Sequence, residues 1–342
     1  MPMAANLAAG DGTSAAHPDL ARDIAGFGRG PALGDGQGRQ SLIPAAKRQA
    51  TAWGFLIGAV LCFAVFSWYP MVREIIMSFQ YQHLNADGVS VTSWAGLANY
   101  RRIFNDPTFW TAWRNTAEFT LLALVFGYAV PFFTAILLNE LRHAKGYLRC
   151  LVYLPVMLPP ASALLLFKYF YDPTYGPFDH ILSALGLPTS QFTQSPGSGF
   201  FSVAMLSVVI ASTWMNMGGA TLIYLAALQN IPGELYEAAE LDGAGLWKRI
   251  WHVTIPQTRL ILSMLLMLQI VATMQLFIEP FILNGGQGPG NNTESVVYLI
   301  YEYAFALSGS ANFNTASALG VTLLCVLAVF SGGYLYITRE RR

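Results

Sequence analysis

The chain has 342 residues, 54% of them hydrophobic and only 11% charged, where an ordinary soluble domain carries about 25% charged residues. That composition excludes a soluble globular surface. With 19 basic and 19 acidic residues the formal net charge is zero, so net charge identifies no partner and nothing calls for nucleic acid.

A helix crossing the roughly 30 Å hydrocarbon layer needs about 20 apolar residues. Six regions meet or approach that length, at about 54–79, 115–139, 150–171, 201–229, 258–283 and 315–337. They predict an all-α, polytopic membrane protein with six transmembrane helices. If the N-terminus is cytoplasmic, the inner segments hold 14 of the 19 Lys and Arg residues, including Lys47, Arg48, Lys248 and Arg249, and the outer segments hold 5. By the positive-inside rule both termini are then cytoplasmic.

In chain order, residues 1–50 are rich in Gly, Ala, Asp and Ser without periodicity and read as a disordered cytoplasmic tail, and 51–342 as the membrane domain. No cleavable signal peptide is expected, because the first apolar run starts only after about 52 residues. Between the first two spans, aromatic residues at 94, 100, 104, 109, 110 and 113 predict an amphipathic element on the membrane surface, a plain interfacial helix being the simplest form of it. Pro131 in the second span and Pro155, Pro159 and Pro160 in the third predict kinks. Residues 172–199 read as a loop with one short helix near 177–186.

The fourth span carries Ser212, Trp214 and Asn216, and the fifth Gln269, Thr273 and Gln275, then Glu279-Pro280. Ser212 with Asn216, Gln269 with Thr273, and Gln275 with Glu279 are four apart, so each pair shares a helix face at membrane depth. Such pairs make either interhelical hydrogen bonds or a polar lining. Between these spans, 231–257 is a polar interruption that reads as a short helix, a glycine break and a second short helix. Its small residues permit close approach of another surface, while Glu237, Glu240 and Asp242 offer charge to a basic partner.

No catalytic set is present. The five histidines are scattered, and Cys62, Cys150 and Cys325 have no metal-ligand spacing. The glycine-rich turn 284–293 lacks the following Lys-Ser or Lys-Thr of a phosphate loop. Nucleotide binding is therefore not expected of this chain, nor is a metal.

The run Glu237-Ala238-Ala239-x-x-Asp242-Gly243-Ala244, continued by Ile255-Pro256, resembles the EAA signature of binding-protein-dependent ABC importer permeases of the carbohydrate-uptake family. Gly96-Leu97-x-Asn99-Tyr100, Asp106-Pro107, Asn115-Thr116, Tyr153-Leu154-Pro155, the glycine-rich turn, and Ala316-Ser317-Ala318 are similar to that family in order and placement. Ile250 and Leu260 depart from its usual Phe and Pro, and the turn is longer. The resemblance implies a type I ABC importer permease (MetI-like) fold in a bacterial inner membrane. It also implies alternating access and a coupling helix of Glu237, Ala238, Ala239, Asp242, Gly243 and Ala244 docked on a separate ATPase. The implied partners are two ATPase subunits, which use ATP and Mg, an extracytoplasmic solute-binding protein, and a second homologous permease, a heterodimer fitting the absence of an extended C-terminal tail. Ser212, Trp214, Asn216, Gln269, Thr273 and Gln275 would line the path of a sugar, since amides, hydroxyls and an aromatic face suit hydroxylated solutes. A permease for another solute such as glycerol 3-phosphate or an amino acid, a secondary transporter, and a membrane-embedded enzyme are the alternatives. An anionic solute would call for cationic residues facing the pore, and the spans show essentially none, which favours a neutral solute.

Overall fold

A computed structural model describes residues 45–84, 90–141, 145–195, 201–305 and 312–339; the tail ahead of residue 45 and residues 340–342 lie outside them. The chain divides into a unit ending at Trp68 and a second from Tyr69 onward. The first holds helix α1 (Ala45–Phe63) and a π-helical turn, Ala64–Trp68. Exposed Phe55, Leu56, Leu61, Phe63 and Phe66 on this stretch suit a lipid-facing surface.

The second unit begins with α2 (Tyr69–Ser78), an antiparallel hairpin of β1 (Gln80–Leu84) and β2 (Ser90–Trp94), and α3 (Ala98–Asn105). Then follow α4 (Pro107–Glu140), α5 (Lys145–Met157), α6 (Pro160–Phe170), α7 (Pro177–Ala184) and α8 (Val203–Gln229). Next come α9 (Gly233–Leu241), α10 (Leu246–Arg249), a π-helical turn at Ile250–Thr254, α11 (Ile255–Thr273) and α12 (Ile278–Asn284). The last are α13 (Val296–Phe305) and α14 (Phe313–Arg339). The hairpin and α13 were not expected from hydropathy; α3 is the expected amphipathic helix and α7 the expected loop helix.

Among the described residues, five helical stretches are long and apolar enough to cross a membrane: Trp53–Ser78, Pro107–Glu140, Val203–Gln229, Leu246–Thr273 and Phe313–Arg339. The expected third span is two helices bent by 96° at Leu158-Pro159, and counting that pair as one span gives six. Proline explains the break, since Pro159 and Pro160 donate no backbone N–H and disfavour helix in the residue before them. The fifth span differs in both boundaries. It starts at Leu246, because the π turn carries the helix of the polar interruption into α11, and Pro256 is accepted at its first turn. It stops at Thr273, so the expected stretch 258–283 is broken before α12.

Helix α4 pairs most extensively with α8, and three buried clusters flank that pair. One joins Phe119, Leu164, Phe167, Met205 and Val208; a second Ile103, Phe109, Val296, Leu299 and Leu319; a third Phe132, Tyr224, Leu228 and Ile250. Among lipid-solvated helices such packing acts through van der Waals contact and small residues. At Gly218 on α8 an added Cβ would lie 2.7 Å from the Val152 carbonyl oxygen and 3.0 Å from Tyr153 Cα on α5.

The first turns of α4 tie distant loops together. Asp106 caps the helix through the Thr108 N–H at 2.9 Å and accepts from the Tyr303 hydroxyl at 2.7 Å. Asn115 Nδ2 donates to the carbonyls of Asn291 and Glu294, and the Val296 N–H donates to Thr116 Oγ1. Buried Glu118 accepts from the N–H groups of Phe201 and Ser202 ahead of α8. These side chains satisfy backbone donors and acceptors that helical structure leaves open.

Candidate functional site

Two places gather the polar residues singled out in the sequence. The first is the loop between α8 and α11. Gly243 has φ 73° and closes α9 in a Schellman arrangement, its N–H bonded to Glu240 O at 3.0 Å and the Ala244 N–H to Ala239 O at 2.9 Å. Only glycine takes that left-handed position without cost, which gives the Asp-Gly-Ala spacing a geometric reason.

Glu237, Ala238, Asp242 and Gly243 are exposed, and Ala239 and Ala244 are half-buried. Among the described residues, neither the Glu237 nor the Asp242 carboxylate has a hydrogen-bond or ion-pair partner. Glu240, also exposed, instead forms an ion pair with the more buried Arg249 across the glycine break; nothing in local spacing distinguishes it from Glu237. The Tyr236 hydroxyl lies 3.1 Å from Thr254 Oγ1, and Ile250 sinks into the cluster of Phe132, Tyr224 and Leu228. The loop thus presents an acidic, small-residue surface while being fastened to α4 and α8. Leu241 is 89% exposed, Trp251 65% and Trp247 64%, so apolar surface accompanies the acidic groups.

The second place is a cavity of about 510 Å³ between α4, α8, α11 and α12. Ser212, Asn216, Gln269, Thr273 and Gln275 all line it. Trp214 does not. It packs against the buried cluster beside α6, its ring 5.2 Å from that of Phe167, because two residues along a helix turn a side chain to nearly the opposite face.

On α8, Asn216 Nδ2 donates to Ser212 O at 2.9 Å. On α11 the Thr273 hydroxyl donates to Gln269 O at 2.8 Å, and just past the end of that helix Gln275 Nε2 donates back to Val271 O at 3.0 Å. Gly127 on α4 leaves room for the Gln269 amide, whose nitrogen would be 2.9 Å from an added Cβ. Tyr128, Thr213 and Phe277 also line the space. Gln275 and Glu279 both reach it, although the helix break at 274–277 means they share no continuous helix face.

Chemically, the cavity can exchange hydrogen bonds with hydroxyls against aromatic and aliphatic walls. Among the described residues, no group of three or more His, Cys, Asp or Glu side chains is arranged to hold a metal ion.

Residues 127–342 match the model of the binding-protein-dependent transport system inner membrane component. The chain is 33% identical over 282 residues to the probable ABC transporter permease protein YurN of Bacillus subtilis, covering 81% of this chain and 92% of that protein. It is 33% identical to the arabinooligosaccharides transport system permease protein AraP of Halalkalibacterium halodurans, covering 82% and 84%. To the lactose transport system permease protein LacF of Rhizobium radiobacter it is 30% identical, covering 85% and 94%. The crystal structure of a bacterial ABC transporter that imports the acidic polysaccharide alginate contains a chain of the same fold, with TM-score 0.74, 24% identity, and 86% and 96% of the two chains covered.

Proposed function

The chain belongs to the family of binding-protein-dependent transport system inner membrane components, and we propose that it is the permease subunit of an ATP-driven importer that moves a sugar or oligosaccharide by alternating access. The observation that carries this reading is the pairing, in one chain, of a polar intramembrane cavity with an acidic loop anchored to the helices that wall the cavity. Relatives named for arabinooligosaccharide and lactose transport support the cargo class. The lining of amides and hydroxyls without Lys, Arg or His supports a neutral cargo over a phosphorylated one.

In this reading Glu237, Ala238, Ala239, Asp242, Gly243 and Ala244 dock on a separate ATPase subunit, of which there are two, and ATP and Mg act there. Glu237 meets a basic residue of the ATPase. The Arg249–Glu240 pair and the Tyr236–Thr254 contact let α9 move with the π turn as one body, so that closure of the ATPases reaches α11 and the cavity. A second, homologous permease completes the membrane unit, and an extracytoplasmic binding protein delivers the solute to the face opposite the loop. Both termini and the loop are then cytoplasmic, in agreement with the distribution of Lys and Arg.

Uptake by proteoliposomes containing the whole importer tests this. Lactose or an arabino-oligosaccharide should enter only with ATP and the ATPase subunits present, and Glu237→Lys should abolish ATPase docking without preventing membrane insertion. Uptake that persists without any ATPase subunit would overturn the importer reading in favour of a secondary transporter.

A further inference from the structure

Among the described residues, Glu279 is the one carboxylate on the cavity wall, and no Lys, Arg or His accompanies it there. It stands in the first turn of α12, just past the break at Met274–Phe277, and Oε1 accepts a hydrogen bond from Ser212 Oγ at 2.9 Å. Ser212 is in turn backed by Asn216 one helical turn away. The carboxylate is therefore held at the meeting point of α8 and α12, hydrogen-bonded to one polar wall residue, Ser212, which a second, Asn216, backs in turn. Lys168 on α6 donates to the Ile282 carbonyl at 3.1 Å and is not part of the wall.

The neighbouring amides and hydroxyls of Asn216, Gln269, Gln275 and Thr213 both donate and accept, so they accommodate hydroxylated solutes of either sign. A carboxylate only accepts, and its two oxygens can take two adjacent hydroxyl donors. When ionised, it also adds a sign to the cavity. A second negative charge about 5 Å away, at an effective dielectric near 20, is disfavoured on the order of a hundredfold.

From this geometry we propose that Glu279 is the specificity-determining residue of the cavity, a carboxylate that takes hydroxyl donors from a neutral saccharide and turns away solutes bearing carboxylate, sulfonate or phosphate. The saccharide part rests on the cargo reading above; the charge part does not.

The charge part is read with the complete importer in proteoliposomes, with Cys62, Cys150 and Cys325 replaced by Ser and a reporter thiol introduced by Asn216→Cys, or by Gln269→Cys should the first variant fail to assemble. Rates of modification by cationic 2-aminoethyl and anionic 2-sulfonatoethyl methanethiosulfonate are each normalised to a free thiol. With Glu279 present the cationic reagent should be favoured about tenfold or more. Glu279→Gln should bring the ratio within about twofold of the free thiol, and Glu279→Asp should retain most of the preference. An unchanged ratio in Glu279→Gln overturns the assignment.

The saccharide part is read by uptake of tritiated lactose, maltotriose and arabinotriose. For the probe the native importer takes up, Glu279→Gln should raise KM about fivefold or more with kcat little changed. A responsive thiol ratio with no uptake of any of the three probes would leave the charged wall standing and sink the saccharide reading. Uptake with an unresponsive ratio would sink the role of Glu279 alone.

Discussion

Replacing Glu294 by Gln is expected to remove a fall in stability between acid and alkaline pH. Glu294 precedes α13, outside the long spans, and its side chain is fully buried with neither carboxylate oxygen hydrogen-bonded. Burial first, and then the like charges of Glu302 and Asp106, push its carboxyl from an ordinary 4.5 up to about 7. The folded protein therefore holds this proton more tightly than the unfolded chain does. The resulting stability is fully present below about 4.5 and is lost as pH rises through about 7.

At about 1.4 kcal/mol for each pH unit the difference amounts to about 3 kcal/mol. Half-buried Glu302 lets solvent screen the like-charge share, which brings the expected effect nearer 2 kcal/mol. The buried amide of the variant carries its own desolvation cost, but that cost is independent of pH. The assay is thus the change in apparent Tm between pH 5 and pH 8, compared for the native protein and Glu294→Gln in the same detergent. The native protein should lose several degrees more over that interval. Equal losses would refute the reasoning, whatever the absolute Tm values.

Other expectations follow from close contacts. Gly218→Ala puts a methyl group against the α5 backbone at Val152 and Tyr153, and should lower stability by about 1–3 kcal/mol in a thermal melt, since backbone cannot step aside as a flexible side chain can. Trp214→Ala should cost about 2 kcal/mol of stability through the gap left beside Phe167, yet leave the KM for imported sugar unchanged, because the indole faces the core and not the cavity. Arg249→Ala should release Glu240 and loosen α9 from the π turn. Its expected signature is ATP hydrolysis poorly coupled to uptake, measured as ATP consumed per solute imported, with membrane insertion intact.

The long spans were legible because an apolar run of span length has few other uses in a chain with so little charge. Their ends were less so. The start of the fifth was hidden by Ile255-Pro256, which reads as a stop but sits where a helix tolerates proline, and the π turn ahead of it has no sequence signature. The hairpin was signalled by Ser90-Val91-Thr92-Ser93-Trp94, rich in β-branched residues and ending in an aromatic one, but it lies in a segment first read for its aromatic content.

The cavity divides along the same line between local and long-range information. Four of its polar residues, Ser212, Asn216, Gln269 and Thr273, could be named because α8 and α11 are regular, so spacing of four fixes a shared face. That same regularity argued against Trp214, which is about 200° around the helix from Ser212 at 100° per residue; chemical suitability for sugars had outweighed its position. Glu279 poses the opposite case. Spacing joined it to Gln275 on one helix, whereas the helix is interrupted at 274–277 and the partner of Glu279 is Ser212, 67 residues earlier. A contact of that separation depends on how α12 packs beside α8. A carboxyl at the end of an apolar run remained ambiguous between an interfacial charge and a cavity wall until that packing placed it, which is why the residue that gives the cavity its sign was the hardest to recognise from the chain alone.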